Sequence, residues 1–228
     1  MIQHDKMSSP ENRCPYIAIS GTIGVGKSTS SVLIAKELGF YPLMENPHNP
    51  YLDRFYDDPH RWAFNSQMFC LTAKYEKTQL AENLLSQNEP PLLDVPIQQD
   101  VHSYARAQHE LKHMSDDEWR LYLAAYKPLK EKIRNPDLIV CLLASMSVIL
   151  KRIDDRDRAC ERKIPPSYVE LLDRLNRDWW ANNNDNIPIV YIETDGLDIT
   201  QSRRAQLNLL DTVSKALDNL WQKPSNEI

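Results

Sequence analysis

Between Gly21 and Ser28 the chain reads Gly-Thr-Ile-Gly-Val-Gly-Lys-Ser, three glycines followed by a lysine and a hydroxyl residue. Glycine lets a backbone turn tightly and present successive N–H groups, and a helix opening near Lys27 adds the positive end of its dipole. Such a nest suits a phosphate chain. Lys27 then reaches the β- and γ-phosphates as a point charge, while the Ser28 hydroxyl takes a place on Mg²⁺. The Gly21-x-x-x-x-Gly26-Lys27-Ser28 spacing is that of a P-loop, with Gly21, Thr22, Ile23, Gly24, Val25, Gly26, Lys27, Ser28 and Thr29 as its phosphate-binding residues. Phosphoryl transfer further needs a base for the acceptor proton, a second acid for Mg²⁺ or its waters, and cations over the moving phosphate. Glu45, Asp94 and the Arg156/Arg158 pair are of the right types. Taken singly, each has a plainer reading: a ligand-free glycine turn, a solvated loop carboxylate, a salt-bridged exposed helix.

The elements around these residues decide between the two readings. Tyr16 to Ser20 is a short apolar run that reads as a buried strand, and Ser30 to Gly39 reads as a helix after the glycines. Phe40 to Met44 makes a second strand delivering Glu45 at its end, and Asn46-Pro47-His48-Asn49-Pro50 must be loop. From Trp62, Phe64, Met68, Leu71, Tyr75, Leu80 and Leu84 recur at helical spacing as far as Pro90-Pro91. Leu92 and Leu93 form a strand ending on Asp94. A helix carrying Val101, Tyr104 and Ala105 follows, and Ser115-Asp-Asp-Glu118 is a capping box for another, kinked at Pro128 and ended by Asn135-Pro136.

Leu138 to Leu143 is apolar enough for a central strand, and Ser145 caps a helix through Val148, Ile149 and Ile153. Tyr168 to Trp179 marks a further helix, Ile189 to Ile192 a last strand, and Leu207 to Leu220 the final helix. This alternation predicts an α/β fold with a central parallel sheet of about five strands and helices on both faces. Ligands of such sheets gather at the carboxyl ends of the strands, where the P-loop, Glu45 and Asp94 all fall.

The chain has 228 residues, 27 Lys and Arg against 32 Asp and Glu, a net charge of −5 and no basic stripe. A nucleic-acid polymer is therefore a poor partner and a small phosphorylated molecule a better one. Cys14, Cys70, Cys141 and Cys160 lie too far apart for a zinc site and read as free thiols of a reducing cytoplasm. No run is long enough to span a bilayer. The domain plan is a flexible tail over 1–14, one domain over 15–223 with a lid at about 152–164, and a second tail over 224–228.

The ordered set Gly21-Thr-Ile-Gly-Val-Gly-Lys-Ser-Thr29, Glu45-Asn-Pro47, Asn49-Pro-Tyr-Leu52, Phe55-Tyr56, Arg61-Trp-Ala-Phe64 with Gln67, and Arg152-Ile-x-x-Arg156-x-Arg158-x-x-Glu161 followed by Tyr168 resembles the deoxynucleoside kinase family. The similarity runs from Tyr16 to about Trp180. It implies a P-loop kinase fold with an arginine-bearing lid, ATP and Mg²⁺, Glu45 as the base on the 5′-hydroxyl, and Tyr56 and Glu161 on the sugar 3′-hydroxyl. Gln67 and Asp100 would read the base, Tyr104 would stack on it, and Leu52 would line the substrate site. Arg152, Arg156 and Arg158 would belong to the lid over the phosphates, and Ser28 and Asp94 to the metal. The resemblance also implies nucleotide salvage, a purine acceptor and a homodimer.

One departure stands out. The family carries an acid, an arginine and then serine or threonine after the third strand, where this chain has Asp94-Val95-Pro96. That arginine lies beside the 5′-hydroxyl in the family. Without it Glu45 is either poorly held, with turnover slow and its pH optimum displaced upward, or held by another cation, for which Lys74 comes first and Arg61 second. Val95 motivates one rival function, a regulatory subunit that binds nucleotides without turning them over; another is a nucleoside monophosphate kinase on a similar scaffold, ranked lower because Glu45 would repel the acceptor phosphate.

Overall fold

The computed structural model of the chain describes residues 14–45, 48–157, 164–196 and 198–221. Its centre is a five-stranded sheet in the order β2-β3-β1-β4-β5: β1 (Ile17–Ser20), β2 (Tyr41–Leu43), β3 (Pro91–Asp94), β4 (Leu138–Leu143) and β5 (Ile189–Glu193). Every neighbouring pair is parallel. A parallel pair cannot be joined by a hairpin, so each connection crosses a face of the sheet through helix. The three inner strands are buried almost throughout, while β2 and β5 at the edges leave residues exposed. That is why Leu138–Leu143 reads as an unbroken apolar run and the edge strands do not.

Side chains alternate across β1. Ile17 and Ile19 enter a core with Ile34, Leu92, Val140, Ile149 and Val213, whereas Tyr16 and Ala18 pack with Leu43, Ala81 and Leu93 on the other face. Helices α1 (Lys27–Leu38) and α9 (Arg203–Trp221) cover the first face, and α3 (Pro59–Ser86) covers the second. Ile19 stands opposite Asp94 in the β1–β3 register, which sets the end of β3 beside the start of the P-loop.

Helix α3 begins three residues before Trp62. Asp58 caps it by accepting from the Arg61 N–H, and Pro59 takes the first turn, where its missing N–H costs nothing. Its buried positions Ala63, Gln67, Leu71, Lys74, Thr78 and Ala81 follow helical spacing, so the polar residues Gln67, Lys74 and Thr78 share a face with the core. A short α2 (Leu52–Asp57) precedes it.

Three expectations are corrected. The helix about Val101 to Ala105 is interrupted: α4 (Ile97–Gln99) passes into a π-helical segment, Asp100–Ala105, before α5 (Arg106–Glu110). The capping box of Ser115 and Glu118 opens α6 as expected, but α6 (Asp116–Lys130) stops at Lys130, with Pro128 in its last turn, rather than continuing to Asn135. Ser145 stands at the N-cap of α7 (Met146–Arg156) as expected, but its side chain makes no capping hydrogen bond; its hydroxyl lies 3.2 Å from that of Ser147, and its N–H donates to Asp195. Helix α8 (Pro166–Asn182) completes the second layer.

Cys14, Cys70 and Cys141 are free thiols; Cys160 and the tails over 1–13 and 224–228 lie outside the described residues. Among the described residues no helix is long and apolar enough to cross a membrane.

Candidate active site

The P-loop runs from β1 into α1 under the first turns of α7. A Cβ on Gly24 would lie 2.7 Å from Ile153 Cγ1 and 3.0 Å from the Ile149 carbonyl, and its φ of +83° is one that L side chains rarely adopt. Only glycine fits there. Thr22 turns its hydroxyl away from the cavity, donating to Asp173 Oδ1 and accepting from Asn176 Nδ2, so it offers a ligand backbone alone. Ile23 packs toward Leu172 and Leu175, while Ser28 and Thr29 stay exposed on the cavity wall.

Lys27 folds back on its own loop, donating to Gly21 O at 3.0 Å and Thr22 O at 3.1 Å. Burial pulls its pKa down, and the Asp94 and Glu45 carboxylates pull the other way. Among the described residues the ammonium thus has carbonyl partners but no charged atom in contact.

Ser28 Oγ donates to Asp94 Oδ2 at 2.9 Å, and Asp94 Oδ1 is buried with no hydrogen-bond partner. Burial raises the Asp94 pKa, with Lys27 opposing. A hydroxyl and a carboxylate carrying an orphaned oxygen are the hard donors that Mg²⁺ takes, usually with substrate phosphates and water rather than a full protein cage. No cluster of three or more His, Cys, Asp or Glu forms such a cage among the described residues.

A cavity of about 1130 Å³ extends from this loop to the region between α2, α3 and the π-helical segment. Glu45 stands between its two ends with half its side chain exposed, and Oε1 accepts from Lys74 Nζ at 3.0 Å. Lys74, almost completely buried, also donates to Asp100 Oδ1 at 2.8 Å and lies 5.6 Å from the centre of the Tyr104 ring. Burial alone would lower the Lys74 pKa; the Asp100 and Glu45 carboxylates outweigh it and hold the pKa well above the ordinary value. For Glu45, burial pushes upward, but Lys74 and Lys27 hold the pKa below the ordinary carboxylate value. Burial pushes Asp100 up, against the pull of the same ammonium. Of the two cations considered for the missing arginine, Lys74 reaches Glu45, while Arg61 lies exposed on the protein surface over the Trp62 ring at 4.7 Å.

Further along, Gln67 Oε1 and Asp100 Oδ2 are both buried without partners, with Leu52, Tyr56 and Tyr104 on the surrounding wall. Asn49 ties the loop before α2 to α3, donating to Ser66 Oγ at 2.9 Å while its Oδ1 accepts from the Tyr51 N–H. Cys70 also lines the wall, with its thiol pushed up to about 12 by burial.

Arg152 and Arg156 line the cavity near the P-loop. The Arg152 fork is engaged, NH1 donating to Val25 O at 3.1 Å and Thr194 Oγ1 at 3.0 Å, and NH2 to Thr194 O at 2.7 Å. It therefore ties α7 to the P-loop and to the end of β5. Arg158, Glu161 and the rest of 158–163 lie outside the described residues, as do Asn46 and Pro47. Sequence reasoning missed the segment after β5, where Thr194, Asp195, Asp198 and Thr200 meet the cavity, and it missed Gln99. Position offered a signal for the first, since the segment follows the carboxyl end of a parallel strand. For Gln99 there was none.

The profile of the Deoxynucleoside kinase family matches residues 17–218. A deoxyguanosine kinase from Bacillus subtilis (strain 168) is 33% identical over 163 residues, covering 71% of this chain and 76% of the relative. A deoxyadenosine/deoxycytidine kinase from the same organism is 26% identical over 210 residues, 91% of this chain and 95% of the relative. Among solved structures, that of deoxyadenosine kinase from M. mycoides with bound dATP superposes with a TM-score of 0.76 at 26% identity, covering 89% of this chain and 98% of that one.

Proposed function

The chain belongs to the deoxynucleoside kinase family, and from that premise we propose that its cavity passes the γ-phosphoryl group of ATP to the 5′-hydroxyl of a purine deoxyribonucleoside, a step of nucleotide salvage. The observation that carries this reading is Glu45: a carboxylate held ionised by Lys74, open to the cavity, and between the P-loop and an end with unpartnered base-reading atoms.

Glu45 accepts the proton of the 5′-hydroxyl as that oxygen attacks phosphorus. Its low pKa keeps it ionised at neutral pH, and Lys74 fixes one carboxylate oxygen so that the other faces the acceptor. Lys27 leaves its two carbonyls for the phosphates, and the backbone N–H groups of Gly24 to Ser28 cradle them. Arg156, with Arg158, meets charge that spreads over the equatorial oxygens, and Arg152 steadies the loop beneath. Ser28 and Asp94 would hold Mg²⁺, which when bound neutralises charge on the phosphates.

At the acceptor end Tyr104 offers a stacking face, Tyr56 and Glu161 take the 3′-hydroxyl, and Leu52 packs against the nucleoside. Gln67 and Asp100 take the base edge. Two orphaned acceptor oxygens call for a base rich in N–H donors, and the names of the relatives favour guanine or adenine. We take residues 15–223 as one cytoplasmic kinase domain. A homodimer would use the outer side of α3 and α6, where Leu80 and Leu121 are exposed.

The deciding experiment incubates the purified protein with labelled ATP, Mg²⁺ and a panel of nucleosides and monophosphates. Deoxyguanosine or deoxyadenosine should be labelled fastest. Label on monophosphates alone would move the reading to a monophosphate kinase, and no label at all would move it to a regulatory subunit.

A further inference from the structure

Gln99, the last residue of α4, is fully buried, and its amide is spent on the entry to the P-loop. Oε1 accepts from the Ser20 hydroxyl at 2.8 Å and from the Gly21 N–H at 3.3 Å, while Nε2 donates to Gly21 O at 2.8 Å. The direction of each bond is fixed by groups that cannot reverse. A backbone N–H only donates and a carbonyl only accepts, so Gly21 determines which end of the amide is which. The Trp180 indole N–H donates to Ser20 Oγ at 2.9 Å, which leaves the hydroxyl proton for Gln99.

Gly21 O has a second donor in Lys27 Nζ. A carbonyl has two lone pairs, and here both are used. When the ammonium moves to a phosphate, Gly21 O keeps Gln99 and is not left buried and unpaired, a state that would hold the lysine back.

We infer that Gln99 is a positioning residue for the donor nucleotide: it sets the strand-to-loop turn at Gly21 and keeps that carbonyl satisfied, so that Lys27 is free to leave it. This inference rests on the reading of Lys27 as the phosphate-binding lysine. The bland rival is a satisfied core amide whose place any side chain of similar volume can take.

Two near-isosteric substitutions separate them. Gln99→Glu keeps the shape but replaces the donor to Gly21 O by a carboxylate oxygen, which repels that carbonyl and attracts the Lys27 ammonium. Gln99→Met fills the space and makes no hydrogen bond or charge. A filler role ranks the two by fit alone, whereas detention of Lys27 makes the glutamate variant the worse one.

The test measures steady-state kinetics of wild type, Gln99→Glu, Gln99→Met and Lys27→Ala, varying ATP and the deoxynucleoside in turn, with thermal unfolding to check the fold. We expect kcat/KM for ATP to fall about a hundredfold in Gln99→Glu, the scale of a charge-assisted bond, and about tenfold in Gln99→Met, with the nucleoside KM within about twofold of wild type in both. Unchanged ATP kinetics in both variants, or a greater loss in Gln99→Met than in Gln99→Glu, overturns the inference. If Gln99→Glu does not fold, Gln99→Met decides by the presence or absence of its ATP-selective loss. Full activity in Lys27→Ala would bring down the P-loop reading and the inference with it; an inactive Lys27→Ala beside wild-type Gln99 variants would bring down the inference alone.

Discussion

At the acceptor end of the cavity one buried ammonium, Lys74, is shared by two carboxylates at 3.0 Å and 2.8 Å, whereas at the donor end the ammonium of Lys27 donates, among the described residues, to two carbonyl oxygens. In the first arrangement the ion pairs are already made: the cost of taking Lys74 and Asp100 out of water is offset between them and by the half-exposed Glu45. The second is held open. Lys27 is buried with its charge incompletely answered, and a polyphosphate supplies what the fold withholds. One end presents a set geometry for a neutral nucleoside, and the other stores attraction for an anion.

The contrast is most sharply broken at Glu45. Glu45→Gln keeps shape and removes the base, so kcat should fall by about a thousandfold while the nucleoside KM changes little. A loss confined to KM would make Glu45 a binding group only. On the other side, Lys27→Ala should lower kcat by about a hundredfold or more and leave nucleoside binding intact, which single-turnover and nucleoside-binding measurements would read. Equal damage to both substrates would erase the distinction between the two ends.

Lys74→Met is the next step down. It leaves Asp100 buried beside Glu45 with no cation, and thermal or denaturant unfolding should report a loss on the order of 3 kcal/mol. The variant also moves the pH profile. Glu45 is held below its ordinary pKa chiefly by Lys74, so its contribution to stability and activity is present above the unfolded value and lost as pH falls through the lower folded one. Without Lys74 the acid limb of kcat should shift to higher pH; an unmoved limb would show that another group sets the Glu45 charge. The smallest effect is expected at Gln67→Leu, which should raise the nucleoside KM about tenfold and leave the ATP KM unchanged.

Much of this was legible in the sequence, and the reasons are local. Leu138–Leu143 is apolar along its whole length because it lies between two strands under helices, and Gly21 to Ser28 is a motif whose spacing is its mechanism. Lys74 could be placed because helical spacing puts it two turns from Gln67 on the same face. What could not be read depends on distant pairing. Gln99 sits in the polar run Gln98-Gln99-Asp100, which suggests a surface, yet all three are buried because their partners arrive from β1, α3 and Asn135. Val95 has a φ of +64°, unusual for a β-branched residue, while its N–H bonds to Ile19 O and its side chain is fully buried. The family resemblance marks that position by the arginine it lacks. Lys74, on α3, is the cation that contacts Glu45, and the backbone at Val95 turns through the left-handed region.

The π-helical segment Asp100–Ala105 has a consequence for how this stretch can change over time. A π turn holds one residue more than an α turn, so the residues before it are rotated relative to those after it by about 100° from where a regular helix would put them. Gln99 and Asp100 owe their directions, toward the P-loop and toward Lys74, to that offset, while Ala107 and Gln108 beyond it keep their own buried faces. Losing a single codon here would regularise the helix and improve its hydrogen-bond geometry while turning one of these two sets away from its partners. The segment should therefore accept substitutions along its outer side and reject any change in length, and an insertion or deletion within it in a related gene would mark a protein whose two substrate ends are no longer arranged in this way.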